Sequence, residues 1–201
     1  MRASLVLVLV AISVLCACGP NLDPTAAVTP SAVAGEGVNA SGPRISAPPV
    51  SPSPPGSNLP AFACADFAGG KTGVANTITA RAGEQDSYDR FVLQFDGIVP
   101  TYTVKRQAKP VFQMGGSGQN VTLSGTAGVL VSVHSATGAT TFTGDTDLIH
   151  PEFQVLKEAR QVQDFEGYVT WGLGLSKPTC MRVFTLSDPA RLVVDLQIPS
   201  S

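Results

Sequence analysis

Charge is scarce in this chain. The 13 Lys and Arg and 15 Asp and Glu make up 14% of 201 residues, against roughly 25% in ordinary soluble domains. With a formal net charge of −2, it lacks the basic surface that nucleic-acid binding demands. Histidine occurs twice, as His134 and His150, which leaves little material for general-base or metal chemistry. No apolar run reaches the ~20 residues of a membrane-spanning helix. Aromatic residues are also few, at 6%, and none precedes Phe62. Proline is crowded into the same aromatic-free part, with ten of the 16 between Pro20 and Pro60. The composition therefore describes two different kinds of chain joined near residue 60.

Met1 and Arg2 give a short positive start, residues 5–15 are apolar apart from Ser13, and small residues follow. That order is the one of a secretory signal. The run ends Leu15-Cys16-Ala17-Cys18, which resembles the lipobox of bacterial lipoproteins: an aliphatic residue three places before a cysteine and a small residue just before it. The resemblance implies removal of residues 1–17 and diacylglycerol on Cys18, often with acylation of the freed amine. Two or more chains at about 0.8 kcal/mol per buried methylene anchor a protein stably where one does not. The expected location is the extracytoplasmic face of the cell membrane. The alternative is an ordinary signal cut near Ala17 with no lipid.

Residues 18–58 are dominated by Pro, Ser, Ala, Gly and Val, with Asp23, Glu36 and Arg44 the charged positions. Such a stretch cannot bury enough apolar surface to fold and reads as a disordered linker. As a flexible coil it spans roughly 35 Å, and as stretched polyproline up to about 120 Å.

Residues 59–201 leave about 143 for one domain. Its apolar residues alternate. Phe91, Leu93 and Phe95 share one face opposite Arg90 and Gln94, and Val169, Trp171, Leu173 and Leu175 lie opposite Tyr168, Thr170, Gly172 and Gly174. Period two means strands. Further runs at 73–81, 101–106, 119–124, 128–134, 154–163, 180–186 and 191–197 bring the count to about nine. Turn formers such as Asp96-Gly97, Gly115-Gly116-Ser117-Gly118 and Asp188-Pro189 separate them. The expectation is an all-β fold, a β-sandwich or open barrel. A short helix competes only within 145–160. Two cysteines remain in the domain, Cys64 and Cys180. In an exported, oxidised chain they favour one disulfide over two free thiols.

Three stretches carry a family resemblance: Tyr88-Asp89-Arg90-Phe91-Val92-Leu93-Gln94-Phe95-Asp96-Gly97, the run from Asp164 through Trp171 to Leu175, and Asp188-Pro189-Ala190-Arg191-Leu192-Val193-Val194-Asp195-Leu196. Together they resemble the AMIN-like domain of lipoproteins from high-GC Gram-positive bacteria, a relative of the AMIN domain of cell-wall amidases and secretins. The resemblance implies a small β-sandwich without catalytic residues that binds peptidoglycan or localises to envelope machinery. No amidase or secretin domain follows the match.

The residues suggest few sites for chemistry. Asp164 and Glu166 fall on one face if their stretch is extended, which makes them the carboxylate pair of an alternative function, a wall-active glycan hydrolase. A charged turn before the strand at Gly167 is the simpler explanation. His134, His150, Asp145 and Asp147 lack metal-site spacing, and no cofactor is expected. Gly172 and Gly174 leave a strip where a ligand, another backbone or a packed aromatic can approach closely. With Tyr168 and Thr170 beside it and Arg90, Arg182 and Arg191 as donors to carboxylates, the strip forms the candidate binding groove. The competing role for the arginines is pairing with Asp89, Asp96 or Asp195. A third functional class is a regulatory module that binds a protein partner through a sheet edge.

Overall fold

A computed structural model of the protein describes residues 58–200. The export signal, Cys18 and the linker up to residue 57 lie outside the described residues. The described residues form thirteen strands and no helix. The first sheet has six strands, in the spatial order β1 (Phe67–Gly69), β4 (Tyr102–Gln107), β7 (Ala127–His134), β11 (Tyr168–Leu175), β10 (Leu156–Phe165) and β9 (Asp147–Ile149). All its pairings are antiparallel. The second has five, in the order β12 (Met181–Ser187), β13 (Ala190–Gln197), β3 (Tyr88–Phe95), β2 (Ala75–Gln85) and β8 (Ala136–Thr137). Strands β5 (Val111–Gln113) and β6 (Asn120–Thr122) pair as a separate hairpin.

The period-two pattern decides which side of each strand meets the core. Phe91, Leu93 and Phe95 of β3 point inward with Leu192, Val194 and Leu196 of β13, and all are essentially buried. From the other sheet they meet Val129, Val131 and Val133 of β7 and Val169, Trp171 and Leu173 of β11. The Trp171 and Phe91 rings lie 5.4 Å apart at the centre. Each such side chain contributes about 1.5–3 kcal/mol by leaving water, so the core is the main source of stability.

The chain itself closes the sides between the sheets. Ala63 bridges to Met181 of β12, and a few residues later Phe67 pairs with Val104 of β4 in the opposite sheet. Cys64 and Cys180 are joined by a disulfide at that crossing, with Cα atoms 4.2 Å apart. On the far side Ser135, with φ of 57°, turns the chain out of β7 into β8, which pairs with β2.

All nine runs read from the sequence contain a strand. Four more, β1, β5, β8 and β9, are two or three residues long. The stretch 145–160 contains no helix. It forms β9, a turn, and the start of β10, with Leu148 registered against Ala159. Pro151 sits in that turn, where its missing N–H would break a helix interior.

Candidate functional site

The outward face of the six-stranded sheet can be laid out from its register. One row runs Lys105, Leu130, Gly172, Arg160 across β4, β7, β11 and β10. The next runs Thr103, Ser132, Thr170, Gln163, and the last joins His134, Tyr168 and Phe165. The face is thus divided along the strands into a glycine end and a hydroxyl, amide and aromatic end.

The glycine end is covered by the chain's own hairpin. A Cβ on Gly172 would stand 2.7 Å from Cδ2 of Phe112, and one on Gly128 would stand 2.8 Å from its Cζ. Gly174 lies against the backbone of Ser124. The strip read from the sequence is therefore filled by a packed aromatic and a second backbone. Phe112, Leu123 and Val162 form a small second core there. Val162 joins it because the β10–β11 register shifts between Gln161 and Gln163. Polar contacts pin the hairpin as well. Glu158 accepts hydrogen bonds from the backbone N and Oγ of Ser124, both 2.8 Å, and Gly115 N donates to Val162 O at 2.8 Å. The Gly115 to Gly118 stretch is the loop of this hairpin, with φ of 79° at Gly116 and 68° at Gly118.

The other end of the face stays open and forms a groove of about 620 Å³, walled by Gln113 and Asn120 of the hairpin. Its floor is Thr103, Ser132 and Thr170, and its far end is His134 and Tyr168. The His134 and Tyr168 ring centroids are 4.6 Å apart, and Phe165 beside them is 57% exposed. Among the described residues lining the groove, Lys105 carries the permanent charge. Sequence reasoning reached Tyr168 and Thr170 but not Thr103, Ser132, Gln163 or His134. Each of those is placed by strand register, and that pairing was the signal a single strand does not carry.

The three arginines lie elsewhere, on the outward face of the five-stranded sheet. Arg90 donates to both carboxylate oxygens of Asp195, from Nε at 2.6 Å and Nη2 at 2.9 Å. Arg182 donates from Nε to Oδ2 of the same buried carboxylate at 2.6 Å. The Asp195 hydrogen bonds raise the pKa of Arg90 above its ordinary value. Aromatic rings flank both guanidiniums. Arg182 lies 4.5 Å from the Phe62 ring and 4.6 Å from that of Tyr88, and Arg90 lies 5.1 Å from Tyr88. Arg191 donates to the carbonyl of Pro189. The pairing with Asp195 weighed from the sequence is the arrangement found for Arg90 and Arg182, and the seven candidate ligand residues divide between two separate sheet faces.

Asp164 and Glu166 do not share an extended strand. β10 ends at Phe165, and Glu166 and Gly167, with φ of 52° and 77°, form the two-residue turn of a β-hairpin. Asp164 accepts from Gly138 N at 2.9 Å and Thr137 Oγ1 at 3.1 Å, which fixes the loop after β8. His150 contacts Glu152 and stacks on Phe153, and Asp147 pairs with Arg160. Among the described residues no three His, Cys, Asp or Glu side chains gather as a metal site.

The architecture is a two-sheet β-sandwich that presents one polar sheet face beside a covering hairpin. The chain belongs to the AMIN-like domain family, which matches residues 75–198. This is a family of non-catalytic binding domains of the extracytoplasmic cell envelope. No curated protein matches the chain.

Proposed function

We propose that the protein is an exported lipoprotein, anchored through Cys18 on the extracytoplasmic face of the membrane, whose sandwich holds peptidoglycan without cleaving it. The single observation that carries the binding site is the open groove at the hydroxyl and aromatic end of the six-stranded sheet, walled by the β5–β6 hairpin. Its volume lies within the few hundred to a thousand Å³ of ordinary ligand sites. Tyr168 and Thr170, already drawn from the sequence, stand in it. The placement of the carboxylates supports a role without turnover: Asp164 holds a loop and Glu166 lies in a hairpin turn. A glycosidase needs two carboxyl groups flanking one bond.

The test is co-sedimentation of the full chain, purified in detergent, with peptidoglycan sacculi, together with an assay for released muropeptides. Retention without release is expected, and Glu166→Gln should leave retention unchanged. Release that disappears in Glu166→Gln would replace this function with hydrolysis. For the anchor, Cys18→Ala should move the protein out of the membrane fraction. An unchanged fractionation would count decisively against lipidation.

A further inference from the structure

We infer that the groove takes the glycan strand of the wall polymer rather than its stem peptide, seating β-1,4-linked amino sugars on His134 and Tyr168 at its end and on Phe165 just beyond its rim. The inference rests on the peptidoglycan reading above and names the part of the polymer recognised. Its first support is the nature of the floor. The groove lies on the face of a sheet whose backbone N–H and C=O groups are spent in the ladders to either side. An extended peptide gains affinity by main-chain pairing at a sheet edge, and a sheet face offers it none. A sugar needs no such ladder, because its polar groups stand around the rim of the ring and its two faces are largely apolar.

The side chains match that distribution. His134, Tyr168 and Phe165 stand in register on three adjacent strands. Strands lie about 4.8 Å apart, so the three positions span roughly 10 Å, a length comparable with two linked pyranose rings. Tyr168 is 42% and Phe165 57% exposed, and as register neighbours they make a contiguous exposed apolar patch rimmed by polar residues, the kind that marks a ligand groove. Beside them the hydroxyls of Thr103, Ser132 and Thr170 and the amide of Gln163 form a parallel row. Thr170 Oγ1 and Ser132 Oγ lie 3.5 Å apart. Hydroxyls and carboxamides both donate and accept, as sugar hydroxyls and acetamido groups require. Charge points the same way. A stem peptide rich in carboxylates calls for several cations, whereas among the described residues lining the groove Lys105 is the one permanent charge, and the Arg90 and Arg182 guanidiniums are on the other sheet and already paired with Asp195.

The test titrates the full chain in detergent micelles with chitotetraose, a linear β-1,4-linked N-acetylglucosamine oligomer, and separately with free stem tetrapeptide, using calorimetry. Sacculus retention is measured in parallel. Chitotetraose should bind and the tetrapeptide should not. Tyr168→Ala and Phe165→Ala should each weaken chitotetraose binding about fivefold to tenfold, the scale of an aromatic stacking contact. Tyr168→Phe should restore most of it. Both sites are solvent-exposed, and unchanged thermal unfolding of the variants checks that the fold is intact. Sacculus retention with tetrapeptide binding and no chitotetraose binding would overturn the glycan assignment while leaving peptidoglycan binding in place. Chitotetraose affinity indifferent to both alanine variants would overturn the aromatic row. Loss of retention on sacculi altogether would remove the underlying reading.

Discussion

Replacing Gly172 by alanine adds one carbon at the point where the covering hairpin meets the sheet. That carbon would lie 2.7, 2.8 and 3.0 Å from Cδ2, Cγ and Cε2 of Phe112, whereas carbon atoms in comfortable contact are about 3.5–4.0 Å apart. The ring cannot slide sideways to relieve this. Its Cζ stands over Gly128, and Leu123 and Val162 pack with it. Overpacking of a filled site costs about 1–3 kcal/mol, and the ceiling is complete expulsion of the ring, about 3–5 kcal/mol. A loss near 2 kcal/mol is expected, or about 7 °C in melting temperature for a domain of this size. Urea and thermal unfolding of the variant measure it. The decisive arm is the double-mutant cycle with Phe112→Ala. Once the ring is gone, Gly172→Ala should cost less than about 0.5 kcal/mol, because strand glycine is otherwise a weak choice. A Gly172→Ala variant as stable as the parent, or one that loses the same amount in both backgrounds, would refute the idea that this glycine exists to admit Phe112.

Three further outcomes are expected. Asp195→Asn leaves the guanidiniums of Arg90 and Arg182 without their shared buried carboxylate and should lower the unfolding free energy by about 3 kcal/mol, measured in urea at neutral pH; a loss under about 1 kcal/mol would mean the rings alone hold the arginines. Reduction of Cys64–Cys180, whose partners are 116 residues apart, should cost about 2–4 kcal/mol, below the roughly 4.7 of the chain-entropy limit, and an unchanged urea midpoint in reductant would contradict it. Asn76 donates to Asp96 from its backbone N at 2.8 Å and its Nδ2 at 2.7 Å, which lowers that carboxyl pKa below its ordinary 3.8. A depressed folded pKa adds stability that is present above the ordinary value and lost as pH falls through the folded one. Asn76→Ala removes the side-chain bond and keeps the backbone one, so it should shrink the acid-dependent part of the urea midpoint without abolishing it and leave the neutral-pH slope unchanged.

Alternation along single strands was enough to find the core, because Phe91, Leu93, Trp171 and Leu173 each announce their face by their neighbours in sequence. Strands β1, β5, β8 and β9 were missed since two or three residues hold no measurable period. Missing β5 mattered most. The run at 119–124 was read as a strand, but its partner Val111–Gln113 was not, so nothing indicated that a hairpin would fold back over β11. Gly172 and Gly174 correctly signalled a close approach, yet glycine is silent about what approaches. The groove residues Thr103, Ser132 and Gln163 are ordinary polar positions in sequence. They become a site only when three inter-strand registers are known together. The arginines were legible as either donors or ion-pair partners, and only the packing of Asp195 between them decides which.

The crossing near Cys64 also determines how the domain bears a mechanical load. Any pull arriving through the chain before Asn58 reaches Cys64 before it reaches β1, and there it passes through a covalent bond into Cys180 at the head of β12. The three-residue pairing of β1 with β4, the weakest seam on that side, is thereby shielded from being peeled open like a zipper. Tension is routed instead into β12, which seven registered pairs hold to β13. On the anchoring and wall binding proposed above, such a domain would keep its grip under drag that unzips an unlinked edge strand.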